Sequence, residues 1–234
     1  MGLRAQIVSL VAGMLLTTTS ISAAELADPW EGLNRKVFVF NDTLDAYLLK
    51  PVAKGYLAVT PAPVELGVSN FFENLGEFSN ILNDILQWKW GLAANDTGRL
   101  LVNSTVGIAG LFDVAQYVGL NRSEGEDFGQ TLAAWGMGQG PYLVLPFMGP
   151  STLRDLGGMP VDSLANPIRY VDHVPTRNTA YATDLLDTRA SLIEAEDLIS
   201  GDKYAFMRDA FLQRREYLIL DGVVVDDFGS DDDF

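Results

Sequence analysis

The most constraining feature of this sequence is an uncharged stretch, residues 128–153, that lies between Asp127 and Arg154. Its length would suffice to cross a bilayer, since a spanning helix needs about 20 apolar residues. Glycines and prolines interrupt it, however: Gly136, Gly138, Gly140, Pro141, Pro146, Gly149 and Pro150. Each glycine costs a helix interior about 1 kcal/mol and each proline about 3 kcal/mol, so the stretch cannot form one straight helix. Two structures remain open: a protein core with buried turns, or a kinked hairpin at membrane depth that packs on protein or lines a cavity.

The first 24 residues have the features of a secretory signal peptide. Arg4 is the only charge among them, the apolar stretch that follows it is too short to span a bilayer, and Ser22 and Ala24 fit the small-residue cleavage pattern. We expect cleavage after Ala24 and export. The mature domain is predicted over 25–220, and the tail 221–234, with six aspartates and no basic residue, is predicted to be disordered.

Cysteine content and charge exclude several classes of function. The 234 residues include no cysteine, so we expect no disulfide, no thiolate metal site, no cysteine nucleophile and no acylated cysteine. An exported chain without disulfides suits a bacterial envelope. The net charge of −15 argues against nucleic acid as a partner, because phosphate binding needs basic patches, and against electrostatic adhesion to anionic lipid. Any membrane contact should therefore be apolar.

The spacing of apolar residues predicts an all-α protein. Asp28 is predicted to cap a first helix that ends near Pro51, and a second break is predicted at residues 60–63. Towards the end of the chain, helices are predicted over 180–200 and after Asp202, which is expected to cap the last one. The sequence has no sustained alternation of apolar and polar residues of the kind that would indicate a strand.

An amphipathic helix is predicted over residues 68–85, where apolar positions recur three and four residues apart, with an interruption at Gly76 left open. Such a stripe usually packs into a core. It can also lie in a membrane interface, and Trp88 and Trp90 at its end fit an interfacial belt. The sequence leaves both interpretations open.

The sequence offers little for catalysis, and no catalytic, cofactor-binding or metal-binding residue is predicted. Its one histidine, His173, lies among helix breakers, where a solvated or locally hydrogen-bonded side chain is the usual finding. No HExxH or GxSxG motif occurs, and the glycines at 136–140 lack the Lys-Ser/Thr of a P-loop, so they are interpreted as a turn or hinge. Arg154 and Asp155 are interpreted as a local ion pair, with a headgroup-binding arginine as the alternative.

Several stretches together resemble one family. They are DPWEGLNRKVFVFND (28–42), SNFFENLGEFSNILNDILQ (69–87), LLVNSTVGIAGLFDVA (100–115), EDFGQTLAAWGMGQGPYLVLPFMGPSTLRD (126–155), TRASLIEAEDLI (188–199) and YAFMRDAFLQRREYLI (204–219). They resemble the MlaA/VacJ family of bacterial outer-membrane proteins that maintain lipid asymmetry, and the similarity covers nearly the whole mature chain.

The resemblance implies a ring-like bundle of amphipathic helices around a central channel, embedded in the periplasmic leaflet of the outer membrane of a Gram-negative bacterium. It implies that phospholipid misplaced in the outer leaflet passes through the channel to a soluble periplasmic lipid carrier, with no cofactor, and that the protein associates with a trimeric porin. By motif, the channel-lining or gating hairpin would contain Gly136, Gly138, Gly140, Pro141 and Tyr142. Apolar surface for acyl chains or bilayer would come from Leu143, Leu145, Pro146, Phe147 and Met148, with Arg154 and Asp155 at the boundary.

One departure from the family and two competing functions stay open. Members of the family are typically acylated on an N-terminal cysteine, which this chain lacks. A structural, adhesion or porin-accessory protein without transport activity would fit the amphipathic stripes equally well. A lipid hydrolase, which would have to recruit His173, is the least favoured of the three.

Overall fold

The structure is a computed structural model that describes residues 28–196 and 201–223. The predicted signal peptide lies outside the described residues, and so do residues 224–234 of the predicted acidic tail.

Helices dominate the described part of the chain, and the one sheet found there has two strands. In chain order the helices are α1 (Glu31–Leu44), α2 (Lys50–Val59), α3 (Ala62–Leu86), α4 (Trp90–Thr105), α5 (Phe128–Ala134), α6 (Leu153–Ala165), α7 (Val174–Ser191), α8 (Ile193–Glu196) and α9 (Lys203–Ile219). The strands are β1 (Tyr142–Leu145) and β2 (Gly149–Thr152), and short π- or 3-10-helical turns cover Asp45–Leu49, Ala115–Val118 and Pro167–Tyr170. The predicted all-α class is confirmed, apart from one strand pair too short to show a period-two signal.

The first predicted helix does not end at Pro51, so that boundary is wrong. A π-helical turn, Asp45–Leu49, joins α1 to α2, and the N–H of Lys50 donates to the carbonyl oxygen of Asp45, five residues earlier. Pro51 then occupies the first turn of α2, where a missing N–H is tolerated. The wider turn absorbs the proline, and helical structure continues through it.

The predicted capping role of Asp28 is also wrong, because this residue is buried and serves a longer-range contact. No side chain caps the start of α1, and Glu31 pairs with Arg35 one turn on. The carboxylate of Asp28 accepts hydrogen bonds from Asn34 Nδ2, at 2.8 Å, and from the Tyr204 hydroxyl. Asp28 therefore links the start of α1 to α9.

Helix α3 begins at Ala62, within the predicted break, and passes Gly76 without interruption. Its buried side chains are all polar: Asn70, Asn74, Glu77, Asn83 and Asp84. Three members of its predicted apolar stripe are exposed instead: Phe78, Leu82 and Ile85. Packing in a core therefore does not account for this part of the stripe.

The described residues show an inverted distribution of polarity. Eighteen polar or charged side chains are buried against nine apolar ones, and four of those nine are alanines, so the apolar core is small. Its centre is Tyr142, Val144 and Tyr204, with half-buried side chains of α1 and α9 packed around them. Most of the interior is therefore held by polar contacts, which must be paired to be tolerated.

Around α4, ion pairs satisfy some of these buried polar groups. The side chain of Arg99 is 3% exposed and lies 3.0 Å from Glu77 and 3.2 Å from Asp113.

The surface, in contrast, is rich in apolar side chains. Thirty-eight large apolar side chains of the described residues are exposed, far more than the scattered single positions usual on a soluble monomer. The apolar surface thus faces outward.

The C-terminal helices follow the prediction more closely. The helix predicted over 180–200 corresponds to α7, which begins earlier, at Val174, and to α8, while residues 197–200 lie outside the described part. Asp202 caps α9 as predicted, accepting from the N–H of Tyr204 at 3.1 Å. Within the described ranges, no helix combines the length and the apolar character needed to cross a membrane.

Candidate functional site

The uncharged stretch 128–153 folds as α5, a glycine turn and the β1–β2 hairpin, which leads into α6. The turn predicted there is present, and Gly136 and Gly140 have φ angles of +91° and +69°. Gly149 at the hairpin tip has a φ angle of +82°. These left-handed angles favour glycine, whereas Gly138 has an ordinary φ and open space around it. Two of the three predicted hinge glycines are therefore required by the backbone.

The hairpin is bound to α1 through an asparagine that imitates a neighbouring strand. One edge of β1 pairs with β2. On its other edge, Asn34 Nδ2 donates to the carbonyl oxygen of Tyr142 at 3.0 Å, and Asn34 Oδ1 accepts from the N–H of Val144 at 3.0 Å. The buried backbone of β1 is thereby satisfied without a third strand.

Asn41, seven residues further along α1, repeats the contact at the tip. Its Nδ2 donates to the carbonyl oxygen of Leu145 and its Oδ1 accepts from the N–H of Phe147, both at 2.9 Å. Sequence reasoning missed this pair of contacts. Two asparagines seven residues apart on one face of an amphipathic helix were the signal that could have indicated it.

The hairpin directs its predicted site residues to different environments. Tyr142 is fully buried, and its ring lies 6.3 Å from Tyr204 and 6.0 Å from Phe211, centroid to centroid. Burial raises the pKa of Tyr142 to about 12. In this conformation Tyr142 is a core residue and offers no surface to a ligand.

The remaining hairpin positions are more accessible. Half-buried positions are Pro141, Leu143 and Leu145, and the exposed tip consists of Pro146, Phe147 and Met148. Phe147 and Met148 are 71% and 72% exposed. Their predicted contact with lipid stays a prediction, and their exposure makes it testable.

Arg154 and Asp155 form the expected local pair, at 3.4 Å between Nε and Oδ1, inside a larger buried network. Arg215 of α9 lies 2.8 Å from Asp155 and 3.0 Å from Asp127, and the side chains of both arginines are buried. Burial alone would raise the pKa of Asp127, but hydrogen bonds from Arg215 hold it below its ordinary value. The network joins α5, α6 and α9, and it leaves Arg154 little surface for a headgroup.

An open cavity of about 490 Å³ lies between α3 and α7. Its lining residues come from both helices and the loop after α4: Val68, Phe71, Phe72, Leu111, Pro175, Thr176, Thr179, Ala180 and Thr183. Aromatic and aliphatic side chains form the α3 wall, and the α7 wall consists of threonines one turn apart together with Pro175 and Ala180. The hydroxyl groups of Thr176 and Thr183 are hydrogen-bonded locally, to His173 and to the carbonyl oxygen of Thr179. The cavity is therefore mainly apolar, and the stretch 128–153 contributes nothing to its lining.

A polar contact beside the cavity fixes the separation of its walls. Asp187, one turn beyond Thr183 on α7, accepts hydrogen bonds from Ser69 Oγ of α3 at 2.6 Å and from the Tyr56 hydroxyl of α2 at 2.9 Å. Burial, together with the hydrogen bond to Asp187, raises the pKa of Tyr56 to about 12. Three helices meet at this carboxylate.

Sequence reasoning missed the cavity because its walls lie about a hundred residues apart in the chain. The three threonines at one-turn spacing, Thr176, Thr179 and Thr183, were the only local signal. His173, just before them, accepts from the N–H of Thr176 and caps α7, so the locally hydrogen-bonded histidine is confirmed. Over 28–196 and 201–223 no group of histidines and carboxylates is arranged to hold a metal ion.

Known proteins share this architecture. The profile of the MlaA lipoprotein family matches residues 26–218. The intermembrane phospholipid transport system lipoprotein MlaA of Escherichia coli (strain K12) is 35% identical over 201 residues, which cover 84% of this chain and 80% of that protein. An uncharacterized protein of Rickettsia conorii is 38% identical over 196 residues, covering 82% of this chain and 78% of its own length.

A solved structure gives the same picture. It is described as the structural basis for maintenance of bacterial outer membrane lipid asymmetry, and it matches with a TM-score of 0.73 at 35% identity. The match covers 82% of this chain and 99% of that one. The range matched by the family profile includes both the hairpin and the cavity.

Proposed function

Because this chain belongs to the MlaA lipoprotein family, we propose that it acts in intermembrane phospholipid transport at the bacterial outer membrane. It takes phospholipid misplaced in the outer leaflet and passes it to a soluble periplasmic carrier, which maintains lipid asymmetry. The task is transfer of an intact molecule, with no enzymatic step.

The observation that carries this proposal is the mainly apolar cavity between α3 and α7, in a molecule that exposes many large apolar side chains. Moving a two-chain phospholipid through water exposes roughly 30 methylene groups at about 0.8 kcal/mol each, on the order of 25 kcal/mol. A cavity that opens among exposed apolar side chains keeps the acyl chains covered.

The size of the cavity favours a conduit over a store. Its volume of about 490 Å³ falls in the range of about 300–1,000 Å³ typical of sites for drug-sized ligands. Such a space holds part of a phospholipid at a time. Transport would then proceed as the molecule slides through, downhill or drawn by the carrier.

The apolar exterior supports a position in the periplasmic leaflet of the outer membrane. Exposed tryptophans, which are enriched at the headgroup level of membrane proteins, occur at Trp88 (76%), Trp90 (56%) and Trp135 (57%). The 234 residues contain no cysteine, so we propose that these apolar side chains supply the membrane contact. The helices would then surround the cavity as a ring that lies in the leaflet.

The hairpin and the partners complete the proposal. Gly136 and Gly140 would serve as the hinge of a gate whose tip residues, Phe147 and Met148, touch acyl chains. A trimeric porin would hold the protein in place, and the soluble carrier would receive the lipid. These two partners rest on the family resemblance.

Filling the cavity tests transport directly. In Thr183→Trp a bulky ring replaces a cavity-lining side chain, and in the matched control Thr188→Trp the same ring stands on an exposed position of α7. We expect lipid transfer from proteoliposomes to fall by about tenfold or more in Thr183→Trp, a barrier higher by about 1.4 kcal/mol. The control should transfer at the wild-type rate. Equal rates in both variants would contradict the proposal.

The accessory function without transport is separated in cells. A deletion strain is complemented with wild type, Thr183→Trp or Leu145→Asp, and phospholipid on the cell surface is measured together with porin association. Transport predicts that the variants keep porin association but leave phospholipid exposed. An accessory protein predicts a normal outer leaflet even in the deletion strain.

A further inference from the structure

The chain takes a left-handed path for three successive residues just after α4. The φ angles of Ile108, Ala109 and Gly110 are 54°, 57° and 91°. Glycine adopts this region readily, but a β-branched residue there is a genuine outlier. Strained backbone persists where the surrounding structure enforces it, and such places concentrate at functional sites.

The surrounding structure does enforce this path. The N–H of Ala109 donates to the carbonyl oxygen of Ser104 at 3.0 Å, and the N–H of Gly110 donates to that of Asn103 at 2.8 Å. A Cβ atom added to Gly110 would lie 2.7 Å from the Cβ of Asn74 on α3, so the loop is pressed against that helix. Backbone hydrogen bonds to the end of α4 and the contact with Asn74 therefore fix the conformation of this loop.

This loop, residues 106–112, presents only apolar side chains to the outside. The large exposed members are Val106 at 67%, Ile108 at 61%, Leu111 at 40% and Phe112 at 58%. No charged residue occurs between Arg99 and Asp113. Leu111 also lines the cavity, beside Val68 and Phe71, so the exposed apolar surface of the loop continues into the cavity wall.

We propose that loop 106–112 is the lip over which the acyl chains of a phospholipid pass between the bilayer and the cavity. The inference rests on the proposed function and assigns a place within it. In water, an outward-facing isoleucine on strained backbone would gain no favourable contact. In hydrocarbon it contacts acyl chains, while the polar groups behind the loop stay paired.

The absence of cysteine from the sequence makes the contact measurable. Single cysteines are introduced as Ile108→Cys on the lip, Val59→Cys on the exposed apolar side of α2 and Gln213→Cys on an exposed polar position of α9, and each is labelled with an environment-sensitive fluorophore. The full chain is reconstituted into vesicles of phosphatidylethanolamine and phosphatidylglycerol with brominated acyl chains. We expect quenching at positions 108 and 59 and none at 213.

The arms separate the two proposals. Quenching at 59 without quenching at 108 would overturn the lip and leave the proposed function standing. Quenching at neither position would overturn both, because the protein would then have no acyl-chain contact at two strongly exposed apolar positions on different elements.

A second variant links the contact to transport. In Ile108→Asn the apolar side chain is lost, while asparagine accepts the left-handed backbone better than isoleucine does. We expect the melting temperature to stay the same or rise and the transfer rate to fall by about fivefold, or about 1 kcal/mol of barrier. The same change at an exposed residue near the C-terminal end, Val223→Asn, should leave transfer unaltered. Wild-type transfer by Ile108→Asn would refute the lip.

Discussion

At the level of single residues, Asn34 satisfies two backbone groups of β1 that would otherwise be buried without partners. Each buried group left unpaired costs about 1–3 kcal/mol. We therefore expect Asn34→Ala to lower the free energy of unfolding by about 2–4 kcal/mol. Chemical denaturation in detergent measures this, with Asn178→Ala on the exposed side of α7 as the control. A loss no larger than that of the control would show that the hairpin is held by other contacts.

Asp84 is the residue whose ionisation is least compatible with its surroundings. It is fully buried on α3, and within the described residues neither carboxyl oxygen has a hydrogen-bond partner. Burial, reinforced by Asp96 and Glu126, raises the pKa of Asp84 to about 7. The folded protein therefore keeps a proton on Asp84 that the unfolded chain releases near pH 4. The contribution of this proton to the stability of the fold is fully present below about pH 4 and is lost as the pH rises to about 7.

Asp84→Asn removes this dependence on pH. We expect the variant to gain little near pH 4 and to be more stable than wild type by on the order of 2 kcal/mol at pH 8. Thermal melts across this pH range give the measurement, and the exposed Asp172→Asn is the matched control. A constant difference between variant and wild type over the whole range would exclude the proton on Asp84.

At the level of elements, Glu196 at the end of α8 holds three helices together. Its carboxylate lies 3.0 Å from Lys50 of α2, 2.7 Å from Arg189 of α7 and 3.2 Å from Lys203 of α9. Burial alone would raise the pKa of Glu196, but these hydrogen bonds lower it to about 2. The stabilisation is therefore present above about pH 4.5 and is lost as the pH falls towards 2.

Glu196→Gln should reproduce the acid loss at neutral pH. We expect the free energy of unfolding to drop by about 2 kcal/mol at pH 7, with the difference from wild type shrinking towards zero as the pH falls to about 2. Glu194→Gln, an exposed neighbour on α8, should change little. If the Glu196→Gln difference persists in acid, its cause is packing and not charge.

The elements also show what a sequence can and cannot predict. Helix positions follow from apolar spacing, and the break before α3 and the cap at Asp202 follow from local chemistry. The helix end predicted near Pro51 was wrong because a π-helical turn accommodates the proline. The residues around Pro51 give no sign of that turn. Asp28 was misjudged because its partners, Asn34 and Tyr204, come together only in the folded protein.

The candidate site divides in the same way. The hairpin turn could be predicted because glycine and proline act locally. The cavity could not, since it forms where α3 meets α7. Periodicity alone cannot tell which face of α3 is buried, because a stripe has the same spacing whether it meets core or lipid. The asparagines at 70 and 74, in phase with Glu77 and Asp84, were the sign that the polar face lies inside.

At the level of the whole molecule, membrane contact should be apolar and insensitive to salt. The net charge is −15, and exposed charges are screened within about 3 Å at 1 M salt. We expect the protein to stay with floated vesicles when salt is raised from about 0.1 M to about 1 M. Added anionic lipid should not increase binding. Release by salt would point to an electrostatic contact and contradict the apolar belt.

The inverted polarity of the molecule also bears on how its sequence can drift. An interior asparagine that donates one hydrogen bond and accepts another is matched only by glutamine, which is one methylene longer, so each such position admits few replacements. An outward leucine that meets only fluid hydrocarbon can become isoleucine, valine or phenylalanine with little consequence. Among homologues, the exposed apolar residues should therefore vary more than the buried polar residues. In water-soluble proteins the buried residues are apolar, so there the slowly changing positions have the opposite polarity.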